Sequence, residues 1–276
     1  MGSCHQDKPC VIDVAVIGGG PAGISAALRL KARGVPCVAI LERDAMLGGA
    51  LLLSTRRAYG LWQFGRLLTG PAYAARLVQA ARAAGVEILP GHEVTALRPS
   101  GVVETLAMND AGTFTARRVL LTGKFPPVAA SHLCLDAGTG GPAVDQYGRC
   151  SDVSYFAAGT LAGNAGPGGP VGAAAGDYIA DDLSGGLPSL EGRLEVLAGQ
   201  GIRYVVPQFL AHVVPLRGRL GVCVAEAVKG QLRVRAGEAV LYRRRVAALP
   251  EQCLAIKLDG MKTPPDDAEL IVEIVP

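Results

Sequence analysis

Aromatic residues make up only 5% of this 276-residue sequence, and it holds 4 histidines, so stacking platforms and clustered imidazoles are both scarce. That argues against a nucleic-acid reader built on stacked aromatic rings. An excess of one charge is lacking too: 27 Lys and Arg against 24 Asp and Glu leave a net +3, and the basic residues are scattered. Neither nucleic acid nor a membrane surface is expected as a partner. Long apolar runs are missing, because the uncharged stretches near Val14 and Leu161 are broken by clustered Gly and Pro. No membrane span is expected. The opening MGSCHQDKPC has no apolar core of a secretory signal, and Gln6 stands where a myristoylation motif wants Ser or Thr. Residues 1–10 are therefore expected to be a flexible N-terminus, and the protein cytoplasmic. The cysteines Cys4, Cys10, Cys37, Cys134, Cys150, Cys223 and Cys253 show no C-x-x-C pair and no metal-ligand spacing. That predicts reduced thiols and no metal site, with Cys37 in a core strand; Cys4 and Cys10 beside His5 are the loose alternative as ligands.

Glycine is what the sequence has in quantity: 37 residues, beside 50% hydrophobic side chains. The second figure promises a well-buried core, and the first promises bare main chain on which a large ligand can lie. The stretch Asp13 to Leu30, DVAVIGGGPAGISAALRL, reads as a strand, a glycine turn and a helix. Gly18, Gly20 and Gly23 form G-x-G-x-x-G, a pattern that answers three steric demands: a tight turn, close approach of a pyrophosphate, and close packing of helix on strand. The helix then offers unpaired N–H groups to the anion. Val35 to Leu41 reads as a second buried strand, and Glu42 at its end is the acidic residue that takes the ribose hydroxyls of a bound dinucleotide.

Further glycines follow. Gly48-Gly49 lets the backbone pass beneath a pyrophosphate or a ring. Residues 54–68 are irregular, and Arg56, Arg57, Tyr59, Trp62 and Arg66 there are either substrate contacts or solvated arginines around a packing tryptophan. Pro71 to Ala84 has helical spacing, with Tyr73, Leu77, Ala80 and Ala81 on one side, and Val86 to Leu89 reads as the third parallel strand. Glu93 to Arg118 predicts a three-stranded antiparallel meander with turns at 99–101 and 109–112. A separate short strand, Val119 to Leu121, is expected to end at Thr122-Gly123. Later come Phe156-Ala157-Ala158-Gly159-Thr160 and a helix opened by Gly168 to Gly172 and running to Leu183.

This order of motifs resembles that of the two-dinucleotide-domain flavoproteins, the pyridine nucleotide-disulfide oxidoreductases related to thioredoxin and glutathione reductases. The resemblance covers about two thirds of the chain. It implies FAD as cofactor, held by Gly18, Gly20, Pro21, Ala22, Gly23, Glu42, Arg43, Gly48, Gly49, Val94, Thr122, Gly123, Gly159, Thr160, Val171 and Gly172. It implies a Rossmann-like α/β domain over residues 11–187, with a parallel sheet and the antiparallel meander. Three departures matter. Only Lys124 to Asp152 lies where the family inserts its NAD(P)H domain, and Gly138-Thr139-Gly140-Gly141 within it reads as a loop, so that domain is absent. No cysteine pair follows Gly48-Gly49, which argues against disulfide reduction. Thr160 stands where the family has aspartate, and a hydroxyl brings no charge to the cofactor.

Ser184 to Pro188 has linker composition, and residues 188–276 alternate in a strand-like way. A small β-rich C-terminal domain is expected, with strands over 202–207, 221–225, 231–235, 240–246, 253–258 and 270–275. Gly201 to Gln208 and Arg243 to Leu258 are similar to the C-terminal extension of bacterial FAD-dependent dehydrogenases encoded beside partner subunits. Arg243-Arg244-Arg245 is expected to be a solvated or edge-protecting feature, with anion binding as the alternative. The function expected is an FAD-dependent oxidoreductase acting on a small-molecule substrate with another protein subunit or electron-transfer partner. The resemblance favours a flavin subunit of an amine or amino-acid dehydrogenase complex, like those of hydrogen cyanide synthase, opine oxidase and hydroxyproline dehydrogenase. The alternatives are a non-catalytic FAD-binding or electron-transfer subunit and a stand-alone biosynthetic flavin enzyme acting on a thiol or other small molecule. No catalytic residue is assignable; His92 and His132 are the nearest candidates in chain order.

Overall fold

The computed structural model describes residues 12–107, 110–123, 127–163, 168–211, 218–250, 252–261, 264 and 269–275. His5, Cys4, Cys10, His212 and the side chain of Trp62 lie outside the described residues.

The first strand, β1 (Ile12–Ile17), is buried on both faces, as its run of apolar residues requires. Helix α1 (Pro21–Ala32) returns to β2 (Val38–Glu42), and β1 and β2 pair in parallel, with Ile17 opposite Leu41. A short helix α2 (Leu61–Phe64) and α3 (Gly70–Ala83) lead to β3 (Glu87–Pro90), which adds in parallel beside β2. The meander consists of β4 (Glu93–Arg98), β5 (Val102–Ala107) and β6 (Asp110–Leu121). Here the sequence expectation needs correction. The third meander strand and the strand over 119–121 are one 12-residue strand, because no Gly or Pro interrupts Thr113 to Leu121. The first half of β6 pairs antiparallel with β5, and its second half pairs parallel with β1. β7 (Tyr155–Ala157) then adds in parallel to the far side of β6, and α4 (Gly168–Leu183) follows.

The parallel strands thus lie in the order β3-β2-β1-β6-β7, with the chain reversing its direction of travel across the sheet between β1 and β6. The crevice at the carboxyl ends of the strands at such a reversal is where α/β sheets bind ligands. Alternation along the strands gives each face its own core. Val14, Val16, Ile40, Leu120 and Phe156 pack against α1, α3 and α4, whereas Ala15, Ile17, Leu41, Leu121 and Ala157 pack against the meander and the segment around Leu133 and Val144.

The C-terminal strands are β8 (Leu194–Ala198), β9 (Ile202–Val206), β10 (Phe209–Leu210), β11 (Arg219–Val224), β12 (Val228–Ala236), β13 (Ala239–Ala248), β14 (Cys253–Lys257) and β15 (Leu270–Val275). They make a five-stranded sheet, β10-β8-β15-β12-β13, and a three-stranded sheet, β14-β11-β9. Leu232, Val234 and Val272 from the first face Leu220, Val222 and Ile256 from the second in one core. β8 and β10 lie outside the strands read from sequence: β8 alternates over only Leu194, Glu195 and Val196, and β10 is two residues long and follows Pro207. Arg243, Arg244 and Arg245 are exposed on β13, the edge of the five-stranded sheet, where charge discourages pairing with another chain.

The segment between β6 and β7 ties these two parts together. The Val144 carbonyl accepts from the Gln208 and Phe209 N–H groups at 2.9 and 3.1 Å, while Val144 N–H donates to Gln208 Oε1 at 2.9 Å. Ala211 N–H donates to Gln146 Oε1 at 2.8 Å, and Arg149 Nη1 donates to the Pro188 carbonyl at 2.7 Å. Arg149 is itself held by a buried ion pair with Asp145 at 2.7 Å. Burial pushes the Asp145 carboxyl above its ordinary value, against the opposing pull of Arg149.

Candidate functional site

The site begins where β1 ends. Gly18 has a φ of 106°, and a Cβ there would stand 2.6 Å from Gly123 N, so the ends of β1 and β6 approach as bare backbone. A Cβ on Gly23 would stand 2.0 Å from the Gly18 carbonyl oxygen, which fixes the seat of α1 on β1. Gly20 differs: a Cβ there would meet nothing within 4 Å. Two of the three motif glycines therefore serve protein packing, and the middle one borders open space. The first turn of α1 has no side-chain cap from the described residues and no acidic residue, which leaves its N–H groups available to an anion.

Glu42 closes one side of the loop. Its Oε2 accepts from Gly19 N–H at 2.6 Å and its Oε1 from Asp44 N–H at 3.0 Å, so the carboxylate is oriented by main chain and keeps lone pairs for a further donor. Arg43 beside it is exposed. Gly48 and Gly49 have φ of 135° and 51°, and a Cβ on Gly49 would stand 3.4 Å from the Gly20 Cα, so this turn packs directly over the loop. Thr122 Oγ1 donates within reach of the Ile17 and Gly18 carbonyls at 3.0 and 3.1 Å, turning its hydroxyl toward the strand ends. Val94 is buried on β4 at a break in register with β5.

At the other end, Gly159 sits at a φ of 77° after β7, and Thr160 is exposed in the turn that follows. A Cβ on Gly168 would lie 3.1 Å from Pro21 Cγ, one on Gly172 would lie 1.9 Å from the Ala22 carbonyl oxygen, and one on Gly176 would lie 2.7 Å from the Ala26 carbonyl oxygen. Helices α1 and α4 therefore run side by side in the same direction with their N-termini together. Gly172, expected from sequence only at the cofactor, has a packing requirement of its own. Arg29 on α1 and Arg33 just beyond its last residue secure the other end through Asp177 and Asp181 on α4 at 2.6–2.8 Å.

Beyond the last of these stations lies a cavity of about 860 Å³. Ala157, Ala158 and Val171 form the wall nearest the strand ends, Tyr147 and Tyr178 meet edge to face at 5.4 Å on another, and Cys253 belongs to the wall made by the C-terminal part. None of Gly18, Gly20, Glu42 and Thr122 lines it. It is large enough for a small organic molecule, with a largely apolar lining.

Sequence expectations elsewhere are partly corrected. Cys37 precedes β2 and is only half-buried, because the strand starts at Val38. Arg56, Arg57 and Arg66 are exposed. His92 stacks edge-on against Phe114, and His132 lies 3.7 Å from Asp152 beside Tyr155, so neither reaches the glycine loop or the cavity. The missed feature is a thiol pair. Cys223 on β11 and Cys253 on β14 stand directly opposite each other, although 29 residues separate them in the chain and no motif spacing marks them.

Residues 13–69 match the family model for FAD dependent oxidoreductases. That similarity is confined to the segment that holds β1, the glycine loop, α1 and β2. No curated protein matches the chain. Among solved structures, a thioredoxin reductase from Gloeobacter violaceus superposes with a TM-score of 0.53 at 14% identity, over 65% of this chain and 97% of that one. That likeness shows the fold. L-proline dehydrogenase from P. horikoshii is 28% identical over 42% of this chain, with a TM-score of 0.35, and the match spans only 24% of that chain. Thermovibrio ammonificans THI4 is 19% identical over 63% of this chain and 89% of that one, with a TM-score of 0.48. Among the described residues, no helix is long and apolar enough to cross a membrane.

Proposed function

We propose that FAD lies across the carboxyl ends of the parallel strands, with its adenosine at Glu42, its pyrophosphate over Gly20 and the first turn of α1, and its flavin toward Gly159, Thr160 and Val171. The observation that carries this reading is the pairing of open space at Gly20 with uncapped helix N–H groups, beside a carboxylate already aimed by main chain. The adjacent N-termini of α1 and α4 add a positive pole suited to a diphosphate and to an anionic reduced flavin. Arg43, Gly48, Gly49, Val94, Thr122 and Gly123 complete the cradle by keeping the strand ends bare or packed. Bound there, FAD supplies an acceptor for a hydride or an electron pair. The protein supplies placement, and the cavity beside Ala158 and Val171 is the place for a small-molecule substrate. In this reading residues 11–187 form the cofactor domain and 188–276 a β-rich domain that closes the cavity.

The finer role is a flavin subunit of an amine or amino-acid dehydrogenase complex. Met46, Leu53, Leu61 and Leu67 are 64%, 88%, 48% and 53% exposed in the irregular stretch beside Gly48-Gly49, which supports a protein partner near the cofactor. A non-catalytic electron-transfer subunit on the same scaffold is the second reading. The test has two stages. Purified protein should show flavin absorbance and release FAD on denaturation; a colourless protein that cannot be reconstituted rejects the cofactor site. Oxidation of amines with an artificial acceptor, alone or with co-encoded subunits, supports the finer role, and bound FAD without any such turnover favours the electron-transfer reading.

A further inference from the structure

The three-stranded sheet carries a row of side chains that the flavin reading leaves unused. Residues directly opposite each other on antiparallel strands project to the same face. In β9-β11-β14 the register places Tyr204 opposite Cys223 and Cys223 opposite Cys253, so the three stand side by side across the sheet. The other face of these strands carries Leu220, Val222 and Ile256 into the core. The face with the cysteines also carries Gly221 and Ala255, which line the cavity together with Cys253. The two thiols differ in access: Cys223 is buried and Cys253 is exposed. Opposed residues of an antiparallel pair have Cα atoms roughly 4.5–5.5 Å apart, inside the span a disulfide bridges without backbone movement.

We propose that Cys253 and Cys223 form a reversible dithiol/disulfide centre on the cavity wall, which exchanges with low-molecular-weight disulfides. Cys253 is the attacking thiol because it alone of the two is exposed. Its thiolate attacks one sulfur of the small disulfide, that S–S bond breaks, and the first small thiol leaves with a proton from solvent. Cys223 then loses its proton and attacks the Cys253 sulfur, and the second small thiol is released. In sum, two protein thiols are oxidised to one disulfide and one small disulfide is reduced to two thiols. Partial desolvation of its sulfur at the sheet surface, then the neighbouring Cys223 thiol, hold the Cys253 thiol above its ordinary value, so its thiolate is a minority species at neutral pH. Exchange therefore accelerates as pH rises, about tenfold per unit below the thiol pKa. A Tyr204 ring atom lies 3.3 Å from where a Cβ on Gly163 would stand, so the ring at the end of this row lies against the turn that follows Gly159. The centre stands on strand register alone and does not depend on the flavin assignment.

The test uses the whole purified chain, treated with oxidised glutathione, denatured, alkylated and mapped by mass spectrometry. The expected product is a peptide cross-linked through Cys223 and Cys253, free of glutathione and reversed by dithiothreitol. Glutathione retained on Cys253 with Cys223 alkylated overturns the proposal, as does a link from either residue to another cysteine. Cys253→Ser should leave Cys223 unmodified, and Cys223→Ser should trap glutathione on Cys253. Ready modification of Cys223 in the first variant rejects the assigned order of attack. The wild-type map decides the matter even if the buried Cys223→Ser change prevents folding.

Discussion

Substituting alanine separately at Gly20 and Gly23 separates binding from packing within one motif. At Gly20 the backbone sits at φ −73° and ψ 178°, which any L-residue adopts, and the new methyl meets no heavy atom within 4 Å. Loss of glycine stabilises the chain by about 0.4–1 kcal/mol through the unfolded state, while alanine is a poorer N-cap than glycine by a comparable amount. The two effects nearly cancel, so the apoprotein should melt within a few degrees of the parent. The methyl instead fills the space proposed for the pyrophosphate. If it costs one close phosphate contact worth about 1.4–2.8 kcal/mol, FAD binds roughly 10–100-fold more weakly. At Gly23 the methyl would stand 2.0 Å from the Gly18 oxygen and 3.1 Å from Val16 Cγ1, so helix and strand must part by more than an ångström. Overpacking of that kind costs roughly 1–3 kcal/mol, and stability falls together with binding. Quenching of flavin fluorescence by the apoproteins gives the affinities, and circular-dichroism melts without FAD give the stabilities. Parental FAD affinity in Gly20→Ala would refute the placement of the pyrophosphate over α1.

Glu42→Gln replaces the charged acceptor that holds Gly19 N–H at 2.6 Å and Asp44 N–H at 3.0 Å. In the proposed placement the acceptor facing the ribose hydroxyls also loses its charge, which costs about 1–2 kcal/mol in the complex alone, so FAD affinity measured by the same titration should drop about 5–30-fold. Arg149→Met leaves Asp145 buried without its partner, with a destabilisation of about 3–5 kcal/mol at neutral pH in urea titrations. Because burial already raises the Asp145 carboxyl, that deficit is complete above the raised folded value and shrinks as pH falls toward the ordinary carboxylate range; a deficit independent of pH would contradict the mechanism. Arg29 and then Arg33 hold the Asp177 carboxyl below its ordinary value, so its small contribution is present above the unfolded value and lost as pH falls through the folded one. Asp177→Asn should flatten the acid limb of the stability profile in proportion.

The glycine loop was legible because its constraints are local. Strand, glycine turn, helix and the acid at Glu42 follow one another within about thirty residues, and each glycine answers a demand set by its immediate neighbours. The strand over 119–121 was located but not its continuity with the meander, since the polar alternation of Thr113 to Arg117 and the apolar run that follows look like two elements. The packing role of Gly172 depends on Ala22, 150 residues away, and no local pattern reports it.

The same distinction explains the cavity and the cysteines. Residues 144–149 read as loop, and only their hydrogen bonds to Gln208, Phe209 and Ala211 reveal a joint between the two parts of the chain. Cys223 and Cys253 read as unrelated thiols, because a one-residue shift in the pairing of β11 with β14 would send them to opposite faces. The sequence by itself determined the glycine loop and the parallel strands, which rest on short-range backbone geometry. The tertiary structure alone decided which helix termini meet, where the cavity opens and which thiols face each other, since strand register and helix packing bring together residues that share no local pattern.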